Sequence, residues 1–157
     1  MFRLAQVSDP HFQSFRLSGP RDLLGKRMLG GLNLLLMRRR KHSMTLLQGV
    51  LDDLRGRPVD HLAITGDLCN IALESEWSAA LRWISSTGLP ADRVTVIPGN
   101  HDAYVPQVTE NGVFERMFAA YQTADLRLEG ATYPFVRFRG DLALVCEIGR
   151  ASCRERV

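Results

Sequence analysis

The stretch Val94-Thr95-Val96-Ile97-Pro98-Gly99-Asn100-His101-Asp102 limits this chain's folding options more than any other. Its β-branched run reads as a buried strand, Pro-Gly stops that strand, and an amide, an imidazole and a carboxylate follow with no apolar spacing between them. Two other segments end the same way. Leu4-Ala5-Gln6-Val7-Ser8 runs into Asp9-Pro10-His11, and His61-Leu62-Ala63-Ile64-Thr65 runs into Gly66-Asp67-Leu68-Cys69-Asn70. Amphipathic segments separate the three. Leu46, Leu47, Val50, Leu51 and Leu54 follow an N-cap candidate at Ser43 and stop at Gly56 and Pro58, and Trp77, Leu81 and Ile84 stop at Gly88 and Pro90. Strand, helix, strand, helix, strand predicts an α/β fold with a mostly parallel sheet and right-handed crossovers. In such sheets ligands gather at the carboxyl ends of the strands, where these polar residues all fall.

Any one of these strand ends could be ordinary turn chemistry, because Asp, Asn and Gly are turn and cap residues. Together they offer carboxylate, imidazole and amide donors from three directions. That set suits a divalent ion such as Mn, Fe, Zn or Mg, and the chain has no thiolate cluster to favour a softer metal. Cys69, Cys146 and Cys153 have neither metal-type spacing nor an even-numbered framework, which predicts a reduced, cytoplasmic setting.

Asp9-x-His11, Gly66-Asp67-x-x-Asn70 and Gly99-Asn100-His101-Asp102 resemble the first three signature blocks of the calcineurin-like metallophosphoesterases, in order and approximate spacing. The bacterial branch related to cyclic-nucleotide phosphodiesterases is the most similar. The resemblance covers Met1 to about Val145 and implies the amino-terminal half of an α/β/β/α sandwich. It implies two divalent metal ions, with Asp9 and His11 on the first, Asp67 bridging and Asn100 on the second. His101 would face the scissile phosphate as the catalytic imidazole, and Asp102 would orient its neighbours. Two ions about 3.5–4 Å apart can acidify a shared water and neutralise phosphate charge, so no side-chain nucleophile is required. Many relatives carry Asp where this chain has Asn70, and an amide cannot stabilise an imidazolium with a charge.

Between the first block and the first clear helix, Leu23, Leu24, Met28, Leu29, Leu32, Leu35 and Leu36 recur at helix-like intervals, interrupted by glycines and followed by Arg38-Arg39-Arg40-Lys41. Residues 18–42 therefore form either a helical cap over the site or a basic, apolar insert. In the second case residues 23–41 would touch an anionic membrane surface or a lipid phosphate, peripheral to the inner membrane. Met1-Phe2-Arg3 leads directly into the first strand, with no export segment expected. Val113, Phe114, Met117, Phe118 and Tyr121 make an apolar helical stripe, read as core. Pro134–Phe138 and Leu142–Cys146 read as a hairpin turning at Arg139-Gly140-Asp141.

From Gly149 the pattern has neither period two nor period 3.6, and from Ile148 it resembles one translated frame of a sequencing adapter. Residues 147–157 are accordingly expected to be a non-native tail on a partial domain spanning 1–146. Removing Ile148–Val157 lowers the 20 basic residues to 17 and the 17 acidic residues to 16, so net charge falls from +3 to +1. Apparent basicity is therefore no argument for nucleic acid as a partner. The family's later His ligands, including a Gly-His-x-His block, have no match among the 157 residues. The resemblance thus implies a truncated phosphoesterase, inactive as this chain alone and lacking the second sheet. Its substrate would be a small phosphate ester such as a cyclic nucleotide or lipid phosphate. A non-catalytic nucleotide- or phospholipid-binding module on the same fold stays open as the other reading.

Overall fold

In the computed structural model, residues 1–12, 44–70, 72–102 and 111–148 are described. Residues 18–42, read as a helical cap or a basic, apolar insert, and the last nine residues lie outside them. Strand β1 (Leu4–Ser8), helix α1 (Met44–Gly56), β2 (His61–Thr65), α2 (Glu74–Ser86) and β3 (Val94–Ile97) follow the predicted order. They make a parallel sheet ordered β1-β2-β3, in register Ala5 to Leu62 and Ile64 to Val96. Period two then sorts each strand: Leu62, Ile64, Val94 and Val96 are buried with Leu51 of α1 and Trp77, Ala80 and Ile84 of α2. The indole N–H of Trp83 donates to Leu47 O at 3.0 Å and Arg55 donates to Ser86 O at 2.8 Å, which fixes the two helices to each other.

The apolar face of α1 is narrower than its sequence predicts. Leu51 is buried and Leu47 and Leu54 pack on the core, but Leu46 and Val50 are exposed. They sit one turn apart on the flank of the helix, beside a groove along β1 lined also by Ala5 and Val7. After β3, α3 (Val113–Met117) and the short 3-10 turn Ala119–Tyr121 set Phe114 and Phe118 into the core, with Phe114 edge-on to Trp77 at 6.3 Å. The Met and aromatic stripe is core, as its spacing predicts.

A second sheet is present, which corrects the expectation that the chain lacks one. Strands β4 (Leu126–Arg127), β5 (Phe135–Arg139) and β6 (Leu142–Cys146) are antiparallel in the order β4-β5-β6. The predicted hairpin pairs Arg139 with Leu142, and β6 faces Ala63, Thr65 and Thr95 of the first sheet across a small gap. The joint between the sheets is polar. Buried Arg137 donates to Val94 O, to Thr95 Oγ1 at 2.9 Å, to Tyr121 O at 3.2 Å and to Asp92 O at 2.9 Å.

Arg137 can only donate, so Thr95 Oγ1 accepts from it, and the same hydroxyl is hydrogen-bonded to His61 Nε2, 2.8 Å away. Burial, together with Arg137, Arg139 and Arg93, pushes the His61 pKa down to about 4. A proton that His61 takes up more readily when unfolded costs stability as pH falls. The contribution is complete above pH 6.5, the usual histidine value, and lost progressively between there and about 4. The expected result is a loss of about 2 kcal/mol between pH 7.5 and pH 5. Melting curves should fall by about 4–8 °C over that range, and by clearly less in His61→Asn.

Candidate metal centre

Strand pairing does not stop where the regular sheet stops. Beyond β1, Asp9 N donates to Gly66 O (3.2 Å), His11 N to Asp67 O (3.0 Å) and Phe12 N to Leu68 O (2.7 Å). The two strand ends are thereby carried forward side by side, with Asp9 at φ 52°, His11 at 46° and Asp67 at 47°. Left-handed backbone at a non-glycine residue costs about 1–3 kcal/mol, and here it falls on the very residues the sequence nominated as ligands. Asp9, His11 and Asp67 each present a ligand atom within 4.8 Å of the others'. Two carboxylate oxygens and an imidazole nitrogen at that spacing can hold a divalent ion.

The third strand end closes on the second. Asp67 Oδ1 accepts the His101 N–H at 2.9 Å, and the His101 ring lies 5.3 Å from that of His11, edge to face. Asn100 is exposed between Gly99 and His101 at the same strand end. Gly99 lies against Asp67 with no room for a Cβ, and the backbone of the preceding Gly66 packs closely on Gly99 as well. Asp102 is buried beneath, and its carboxylate accepts from the backbone N–H groups of Leu68, Cys69 and Gly99, each at 3.0 Å, and from Trp77 Nε1 at 3.4 Å. It therefore binds the Asp67 loop to the His101 loop. Burial raises the Asp102 pKa against the pull of those donors, and pushes the Cys69 thiol well up. Cys69 stays a thiol and donates to His101 O at 3.4 Å.

Both imidazoles are oriented by one loop. His11 Nδ1 lies 3.3 Å from Cys69 O and His101 Nδ1 lies 2.8 Å from Asn70 O. A carbonyl only accepts, so in each ring Nδ1 carries the proton and Nε2 the lone pair, the tautomer a metal ligand or a base needs. The Asn70 side chain points elsewhere, its amide 3.4 Å from His11 O and from Phe12 O. His101 thus needs no carboxylate at residue 70, because the backbone supplies its partner. Sequence reasoning missed Cys69, Trp77 and Glu76 as supports. Cys69 and Trp77 act through contacts 25 to 33 residues away, whereas Glu76 had a local signal in its place three residues after the helix cap.

A family model described as calcineurin-like phosphoesterase matches residues 2–151. The chain belongs to this family. No curated protein and no solved structure matches it. The parallel sheet with its helices agrees with the amino-terminal half of the metallophosphoesterase fold, whose members typically bind divalent metals, and the Asp-His-Asp group is a candidate site for one. No helix among the described residues is long and apolar enough to cross a membrane.

Proposed function

We propose that this constellation serves a dinuclear metal-dependent phosphoesterase acting on a small phosphodiester or phosphomonoester, of the cyclic-nucleotide or lipid-phosphate class. The convergence of Asp9, His11 and Asp67 carries the reading. Asp9 and His11 would hold one divalent ion, Asp67 would be shared, and Asn100 would serve the second. Bound ions would supply an acidified water and neutralise charge on the phosphate. While the Asn70 carbonyl keeps the His101 Nδ1 proton, the ring gains or loses its other proton only at Nε2. That atom would donate to the leaving oxygen.

The later His ligands of the family pattern have no match in these residues, so the reading assigns turnover to a chain that carries them and metal binding to this one. It places the protein in the cytoplasm and assigns any contact with an anionic membrane to the basic, apolar sequence of residues 23–41. The test is Mn-dependent hydrolysis of bis(p-nitrophenyl) phosphate by the full-length parent. Asp67→Asn should lower the rate by more than the roughly 10–100-fold that losing a supporting hydrogen bond costs. Equal rates in both would contradict the assignment and favour a non-catalytic binding module.

A further inference from the structure

Helix α2 begins on Leu73, whose side chain has no oxygen to offer the first backbone N–H groups. Glu76 fills the gap. Its carboxylate turns back so that Oε2 accepts Leu73 N–H at 3.1 Å, the reciprocal half of a capping box. An ordinary capping glutamate is partly solvated, but this one is 1% exposed, and its other oxygen does something a cap does not require. Oε1 reaches outside the helix to Asn70 N–H at 3.4 Å. That amide belongs to the peptide whose carbonyl is Cys69 O, the acceptor for His11 Nδ1, and the next carbonyl is Asn70 O, the acceptor for His101 Nδ1.

We propose that Glu76 is a positioning residue of the metal centre, a buried carboxylate that holds the Cys69–Asn70 peptide so that two successive carbonyls fix the tautomers of His11 and His101. The charge is placed economically. At the amino end of α2 it meets the positive end of the helix dipole, so a carboxylate can stay buried there. Asp102 grips the same loop through Leu68 N and Cys69 N from the other side, so the segment from Leu68 to Asn70 is held by one carboxylate at each end. The proposal rests on the phosphoesterase reading for its catalytic meaning, while its observables do not depend on turnover.

The experiment is long-range 1H–15N spectroscopy of the histidine rings in the metal-free chain at pH 8, for the wild type, Glu76→Gln and Glu74→Gln. Glu74 is an exposed acid in the same helical turn and removes an equal charge from the helix end. Wild type and Glu74→Gln should show His11 and His101 protonated at Nδ1. Glu76→Gln should show both shifted towards Nε2–H, with Mn2+ affinity about tenfold weaker. A folded Glu76→Gln that keeps both tautomers and binds Mn2+ within twofold of wild type would overturn the proposal and leave Glu76 a helix cap. Should that variant fail to fold, amide exchange in the wild type decides: slow exchange at Asn70 N–H supports the contact and free exchange overturns it. If the tautomers respond to Glu76 but the parent hydrolyses nothing, the positioning role stands and the phosphoesterase reading falls.

Discussion

Gly99→Ala should abolish the metal centre while leaving both sheets in place. A Cβ at residue 99 would sit 2.9 Å from Asp67 Cγ and closer still to Asp67 N and Oδ1. These are not the far ends of a flexible side chain. Asp67 N is backbone, and its carboxylate is already committed to His101 N–H at 2.9 Å. The Gly66 and Gly99 backbones also pack closely, a Cβ on Gly66 falling 3.1 Å from Gly99 Cα, so the two loops have little slack to part. Asp67 at φ 47° cannot swing without giving up the backbone pairing that carries Asp9 and His11 beside it. Mn2+ affinity should therefore fall by about 100-fold or more, beyond the range for losing one supporting contact. Gly49→Ala is the control: nothing lies within 4 Å of its Cβ position in the middle of α1, so it should add about 0.5–1 kcal/mol of stability and leave metal binding unchanged. Isothermal titration and thermal melts of the two variants read both effects.

Arg137→Ala should lower stability by about 4 kcal/mol, roughly 8–16 °C in melting temperature for a chain of this size. No carboxylate forms an ion pair with Arg137 among the described residues. Its charge is held by the carbonyls of Val94, Tyr121 and Asp92 and by the Thr95 hydroxyl. Truncation takes a donor from Val94 O, Tyr121 O and Thr95 Oγ1, at about 1–3 kcal/mol for each that water cannot reach, while Arg139 still donates to Asp92 O, and it opens a cavity between the sheets. Arg137→Lys keeps the charge but loses the planar fork that serves Asp92 on one nitrogen and β3 on the other, and should recover about half of the loss. A urea-melt difference below 1 kcal/mol for Arg137→Ala would show that the sheets do not depend on this joint.

Most of the first sheet was legible because its signals are local. Four β-branched residues before Pro98-Gly99 need no partner to be read as a strand, and the boundaries of β2 and β3 fall as the sequence places them. The candidate ligands were legible for the same reason, as polar residues at three strand ends. That Asp9, His11 and Asp67 approach within 4.8 Å follows from the parallel pairing of β1 with β2, which brings those two ends to one edge. The hairpin of the second sheet was legible as two strands, but its completion as a sheet packed on the first was hidden by β4, whose two residues have no period, and by Arg137, whose partners are mostly main-chain oxygens 16 to 45 residues away. Backbone acceptors leave no trace in residue type. The same reasoning explains Asn70, where attention to the side chain missed that its carbonyl does the work. The overreach on α1 has a different cause, since Leu46 and Val50 fit the helical period but face a flank that no described strand covers.

Asp9, His11 and Asp67 present the donors of one divalent-cation site at the joined ends of β1 and β2. Electron paramagnetic resonance of Mn2+ titrated into this chain tests it most directly, because bound and free ion are counted without any substrate. Saturable binding is expected, weakened more than tenfold in each of Asp9→Asn, His11→Ala and Asp67→Asn. A wild-type chain that binds no Mn2+, or three variants that bind it as the wild type does, would contradict it.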